Sequence, residues 1–231
     1  GYGIGHPNAD WWASNVRPAF HLNLAEVENA RTTPKPIAVK EKKYYDNGNS
    51  VKFELARMTD EIEVTTVSAT DMDGNAASVP TYAIDEGILD FDVTDVGKYI
   101  IKVKPKTGEN WSSGSATEEE YCYKLKYHLI PLEFGADVSS LIYKGSPHYI
   151  ALQNYIEDFF TVTASTGAVF GEIPAGQVDA GEKGVWATDA RNNYHISVSL
   201  NNKEFMEWTD DDTATDRTLS FDIAKKTLNI K

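Results

Sequence analysis

Hydrophobic and polar residues alternate with a period of two along most of this chain. Val51, Phe53 and Leu55 alternate with Lys52 and Glu54, and Tyr194, Ile196, Val198 and Leu200 with His195, Ser197 and Ser199. Tyr99, Ile101 and Val103 alternate with Lys102 and Lys104, with Ile100 the one mismatch; Leu219, Phe221 and Ile223 repeat the pattern near the end. Successive side chains of a strand face opposite ways, so these runs predict half-buried β-strands. "DNGNS", "DMDGN", "KTGEN" and "STGA" lie between such runs, each rich in the residues that close turns. One segment departs: "PHYIALQNYIEDFF" spaces Tyr149, Leu152, Ile156 and Phe159 as a helix would. Pro147 near its start and the β-branched "TVT" after it favour a strand, and the expected class is all-β.

The pattern occurs twice. "TDVGKY" (Thr94 to Tyr99) leads into "IIKVKP", and "TDARNNY" (Thr188 to Tyr194) leads into "HISVSL". Further back, "YYDNGNSVKFEL" matches "LIYKGSPHYIAL"; further on, each copy has a tryptophan in a polar loop, "ENWSSGSAT" and "MEWTDDDTATD". Each loop precedes a closing strand, "YCYKLKY" or "LSFDIAK". Same order and similar spacing identify an internal repeat of about 100 residues. The expected domains are 31–127 and 128–231, with residues 1–30 the remnant of a preceding domain plus a linker. "NARTTPKPIAV", polar with two prolines, reads as the linker into the first copy. "YHLIPLEF" joins the copies so briefly that limited hinge freedom is expected, and "KKTLNIK" resembles the same join.

Asp95-x-Gly97-x-Tyr99, with an apolar residue two positions on, is the pattern of a tyrosine corner: a phenol packs under one sheet and its hydroxyl bonds an upstream backbone group. Ile101 and Ile196 then stand where a disulfide-bonded sandwich has its second cysteine, so apolar packing takes that place. Gly97 is expected to supply a left-handed backbone angle, with Asn192 and Asn193 substituting in the second copy. A second register sets the later corner at "VDAGEK" (Val178 to Lys183) and makes "GVWATDARNN" an insertion; both registers fit the sequence. On these residues the chain resembles the tandem bacterial immunoglobulin-like repeats of Firmicute surface proteins over about residues 31–231. The second corner and the acidic "DDD", where glycine is usual, depart from that family's pattern. "WWASNVRPAFHLNLAEV" resembles the C-terminal edge of an uncharacterised extracellular domain that often precedes such repeats. The resemblance implies two tandem immunoglobulin-like β-sandwiches in a secreted or cell-surface protein, serving as a spacer or adhesion stalk. It also implies a fragment of a longer chain, which the abrupt start at Gly1 suits.

Composition narrows the partners. The 231 residues carry 22 Lys and Arg against 35 Asp and Glu, a formal net charge of −13, which disfavours nucleic acid. No apolar run approaches the roughly 20 residues that span a bilayer, so a membrane-embedded fragment is not expected. A monomer is expected, with a host or microbial surface glycan or protein as partner. Cys122 is the single cysteine, which excludes an internal disulfide; opposite the Tyr121/Tyr123 face, it is expected to be a small buried side chain.

Candidate chemistry is sparse. "DMDGN" (Asp71 to Asn75) sets three oxygen side chains close together, but a calcium loop needs a later glycine and a closing glutamate, so a hairpin turn is expected. "WTDDDTATD" (Trp208 to Asp216) and "EEE" (Glu118 to Glu120) read as solvated loops, with calcium the sharper reading of the former. Trp11, Trp12, Trp111, Trp186 and Trp208 could stack on sugars if exposed. The equivalent placing of Trp111 and Trp208 argues for packing, Trp186 is the expected exposed aromatic, and Trp11 and Trp12 belong to the preceding domain. Trp186 or Trp208 as a platform would make one sandwich a carbohydrate-binding module, the alternative to a stalk. His6, His21, His128, His148 and His195 are scattered without metal-ligand spacing, and "GYGIG" lacks the strand and helix of a dinucleotide site. No catalytic, cofactor-binding or metal-binding residues are assigned, and no enzyme activity or cofactor is expected.

Overall fold

A computed structural model of the chain describes residues 32–227; the readings on Trp11, Trp12, His6, His21, "GYGIG", the preceding domain and residues 228–231 lie outside them. The described residues form strands and no helix. In chain order these are β1 (Thr32–Thr33), β2 (Ile37–Ala38), β3 (Lys43–Tyr44), β4 (Val51–Ala56), β5 (Ile62–Asp71), β6 (Tyr82–Asp85), β7 (Ile88–Val93), β8 (Gly97–Pro105) and β9 (Asn110–Trp111). There follow β10 (Glu119–Leu129), β11 (Glu133–Phe134), β12 (His148–Gln153), β13 (Phe160–Ala164), β14 (Ala168–Glu172), β15 (Lys183–Ala187), β16 (Arg191–Leu200), β17 (Met206–Trp208) and β18 (Arg217–Ile223).

Two sandwiches result. In the first, the sheet β2-β4-β7-β6 faces β5-β8-β10, with β3 running parallel to β10 on its other side. In the second, β11-β12-β15-β14 faces β13-β16-β18. The alternating pattern supplies each core: Phe53, Leu55, Leu89 and Phe91 meet Tyr99, Ile101 and Tyr123 in one, and Ile150, Leu152 and Val185 meet Ile196, Val198 and Phe221 in the other. The pairings repeat as well. Thr33 pairs with Trp111 as Leu129 pairs with Trp208, and the parallel pairing of Tyr44 with Lys126 recurs as the bridge of Ile142 to Ala224. The helix-spaced segment is strand β12, a turn with left-handed Asn154 and Asp158, then strand β13.

Both tyrosine corners form. Tyr99 is buried and its hydroxyl donates to the Asp95 carbonyl at 2.5 Å; Tyr194 is buried and donates to the Asp189 carbonyl at 3.1 Å. The extra residue of the second corner is absorbed by a bulge between Arg191 and Tyr194, with Asn193 at φ 65°. Val178 to Lys183 instead closes the β14–β15 hairpin and enters β15, and "GVWA" lies within that strand, so the alternative register and its insertion are set aside. Ile101 and Ile196 are fully buried at the positions expected to replace a disulfide. The chain is all-β: two tandem immunoglobulin-like β-sandwich domains.

Four local expectations change. Gly97 is not left-handed; a Cβ there would collide with the Thr70 carbonyl of the neighbouring strand, so close approach of β5 to β8 explains the glycine. Cys122 is exposed, because Tyr123 takes the core side of β10 and leaves the cysteine on the outward face. Much of "NARTTPKPIAV" is integrated rather than linking, as Thr33 pairs with Trp111 and Ile37 with Ala56. Glu119 and Glu120 open β10 rather than a loop; Glu119 pairs with Lys35 at 2.6 Å and Glu120 with Lys102 at 3.4 Å.

Candidate functional site

The join between the sandwiches is built on one strand. The first part of β10 is the closing strand of the first sandwich, paired with β8; its last three residues pair in parallel with β17 of the second. Leu125 lies in the first core and Leu129 in the second, so one extended segment belongs to both. Backbone bonds fasten the crossing: Tyr127 N–H donates to the Phe205 carbonyl at 2.8 Å, and Thr209 N–H to that of Leu129 at 2.9 Å.

Charged side chains gather beside it. Glu207 sits in β17 between buried Met206 and buried Trp208 and is itself only 8% exposed. Its carboxylate accepts from Lys126, from Lys42 at 3.2 Å and from the Tyr44 hydroxyl at 3.1 Å. Burial works to raise the Glu207 carboxyl, but the hydrogen bonds from Lys126 and Lys42 outweigh it and hold it below the usual carboxylate range. Burial, reinforced by Glu207, pushes the Tyr44 phenol well up, so it remains a donor. Asp212 completes the cluster: its carboxylate lies 3.0 Å from His128 Nε2, 3.3 Å from the Tyr44 hydroxyl and 3.7 Å from Lys42 Nζ. Tyr44 and His128 stack with ring centroids 3.9 Å apart. Glu207 is the buried member of the cluster, whereas Lys42 and Asp212 are about half exposed. The cluster ties Lys42, Tyr44 and Lys126 of the first sandwich to Glu207 and Asp212 of the second.

A second contact comes from a turn that hinted at calcium. Asp71 closes its own hairpin, accepting from the backbone N–H groups of Asp73 and Asn75 at 3.0 and 2.8 Å, and Gly74 takes φ 86°. At the tip, the Met72 carbonyl accepts from the Asn202 side chain at 2.7 Å, and the Met72 side chain packs on the second core. Lys124 adds an ion pair to Glu204 at 2.7 Å.

The remaining candidates fall elsewhere. Asp210 forms a bidentate pair with Arg217 at 2.7 and 3.0 Å, which Asp211 joins at 2.8 Å, while Asp212 turns the other way to Lys42 and His128; the loop is exposed, as expected, and ion-paired as well. Among the described residues no three His, Cys, Asp or Glu gather as metal ligands. His148 and His195 bond nearby carbonyls. Trp111 and Trp208 are fully buried, and their indole N–H groups donate to the Thr117 and Thr215 carbonyls at 2.7 and 2.8 Å, which removes Trp208 as a platform. Trp186 is partly exposed on the outer face of its sheet, beside Tyr149 with ring centroids 5.5 Å apart. Sequence reasoning missed Glu207; its only signal was a charge between two residues, Met206 and Trp208, that both pack inward.

No family model and no curated protein matches this chain. Among solved structures it is similar to a three-domain immunoglobulin fragment of titin, I67–I69, at 10% identity and TM-score 0.31, covering 83% of this chain and 66% of that one. It is also similar to titin domains Z1Z2 in complex with telethonin (14%, TM-score 0.28, covering 85% and 100%). A third is the fibronectin(III)-like modules of Clostridium thermocellum CbhA (13%, TM-score 0.24, covering 85% and 99%). The fold assignment itself rests on the strand register and the two tyrosine corners.

Proposed function

We propose that this chain is a non-catalytic part of a bacterial cell-surface protein, its immunoglobulin-like modules 31–127 and 128–231 acting as a spacer or adhesion stalk outside the cell. The observation that carries this reading is the join. A passive linker needs few contacts, whereas here a shared strand, a buried carboxylate and a docked hairpin tip fix one module on the next. A stalk uses such a joint to hold whatever lies beyond it at a set distance and angle. Antibody against residues 32–227 should label intact cells of the source organism without permeabilisation. Labelling only after the envelope is opened would overturn the reading. The carbohydrate-binding alternative is narrowed to Trp186, the tryptophan that the second fold leaves partly exposed.

A further inference from the structure

The duplication supplies an internal control for surface chemistry. On the first module's sheet β4-β7, the outward cross-strand pairs are Lys52 with Asp92 and Glu54 with Asp90, and Lys52 Nζ reaches Asp90 at 2.5 Å. That is an ordinary solvated face. On the corresponding strands of the second module, β12 and β15, the outward pairs are Tyr149 with Trp186 and Ala151 with Gly184. The fold therefore does not require aromatic residues there. Neither ring belongs to the core behind the sheet, whereas the inward residues Ile150 and Val185 do.

Trp186 lies low on the sheet. A Cβ on Gly171 of β14 would come within 3.2 Å of its Cη2, so the glycine makes room for the indole. Val169, paired with Trp186 on the far side, is 48% exposed and extends the row Tyr149, Trp186, Val169 across three strands. Unlike Trp111 and Trp208, Trp186 hydrogen-bonds no group among the described residues, which leaves its N–H available. Ala151 follows Tyr149 on the same face, about 7 Å along the strand. It floors a cleft of about 740 Å³ whose rim carries Gln153, Asn154, Glu182 and Lys183.

From this juxtaposition we infer that the outer face of the second module binds a neutral glycan: pyranose rings stack on Trp186 and Tyr149, and hydroxyl groups of the next sugar bond the amides and carboxylate in the cleft. Aromatic faces attract the C–H faces of a sugar while the ring edges remain wet. The ligand is neutral because the protein carries a net charge of −13, which repels uronate, sulfated and phosphate polymers alike. The inference deepens the adhesive form of the stalk reading and rests on it for biological purpose. The binding itself is measured separately from cell-surface labelling, so either can fail alone.

The test is affinity electrophoresis of the full chain through gels containing a soluble β-1,4-glucan, a xylan, a galactomannan or an α-1,4-glucan, with a polyuronate gel as reference. Retardation is expected in at least one neutral gel and not in the polyuronate. Trp186→Ala should weaken it about tenfold or more, as should Val169→Glu, which alters an exposed side chain and leaves the core intact. The double variant Tyr149→Lys, Trp186→Asp, which copies the first module's surface pair, should abolish it. Passage through all four neutral gels without retardation overturns the inference. So does retardation by the polyuronate alone, retention of binding by Trp186→Ala and Val169→Glu, or sedimentation showing a dimer that buries Trp186.

Discussion

Tyr99 and Tyr194 each tie the start of a core strand to the backbone that enters it. The first corner was legible in the sequence since the hydroxyl bonds a carbonyl only four residues back; the second stayed open between two registers, because the bulge that absorbs its extra residue depends on pairing with β18. Removing one hydroxyl leaves a packed ring and an unpaired carbonyl. Tyr99→Phe and Tyr194→Phe should each cost about 1–2 kcal/mol in urea unfolding, with no change of fold. Gly97 was legible as a glycine position but for the wrong reason, since crowding by the Thr70 carbonyl depends on β5, far away in the chain. Gly97→Ala should therefore destabilise by about 1–3 kcal/mol, where a left-handed glycine would have been relieved by asparagine. Gly97→Asn as stable as the parent would refute that account. Cys122 teaches a related point: alternation assigns two faces to a strand, but the aromatic neighbours decide which one is inside.

At the scale of elements, β17 and its loop show where local reading ends. The tryptophan loops were recognised as equivalent, and both indoles pack as that equivalence implies. Their flanks differ for a non-local reason. In the second copy Glu207 meets Lys42, Tyr44 and Lys126, all from the other module, and no local pattern records that meeting. Because the folded Glu207 carboxyl is held below its unfolded value, its contribution is present above about pH 4.3 and is lost as pH falls through the folded value. Acid should thus loosen the junction. At pH 7, Glu207→Gln should cost about 1–3 kcal/mol, short of the full penalty for a broken buried pair because water reaches both lysines. Between about pH 5 and pH 3, the parent's urea midpoint should fall more steeply than the variant's. Parallel curves would show that the carboxylate does not hold the joint.

At the scale of the molecule, the question is whether two similar sandwiches behave as two units or one. The sequence indicated a short join, and that much was legible; what it could not show is that β10 is a single strand with one end in each core. Tandem domains usually unfold separately when only a linker connects them. Here, pulling β17 from Tyr127, His128 and Leu129 would expose Met206 and Trp208, both fully buried, and strand Glu207 without its cations. Loss of the second module should in turn deprive the Met72 hairpin of its docking partner. Residues 32–227 should accordingly unfold in one cooperative urea transition, reported equally by core probes in either module. Inserting four residues, Gly-Ser-Gly-Ser, between Lys126 and Tyr127 leaves the β8 pairing of β10 in place, because that register ends at Leu125. It also leaves Leu129 on the second module's side, while separating the two frames. The insertion should split the transition in two and broaden the interdomain distance distribution measured between spin labels on β4 and β12. A parent that already shows two transitions, or an insertion variant that keeps one, would mean that the sandwiches are neighbours without being coupled.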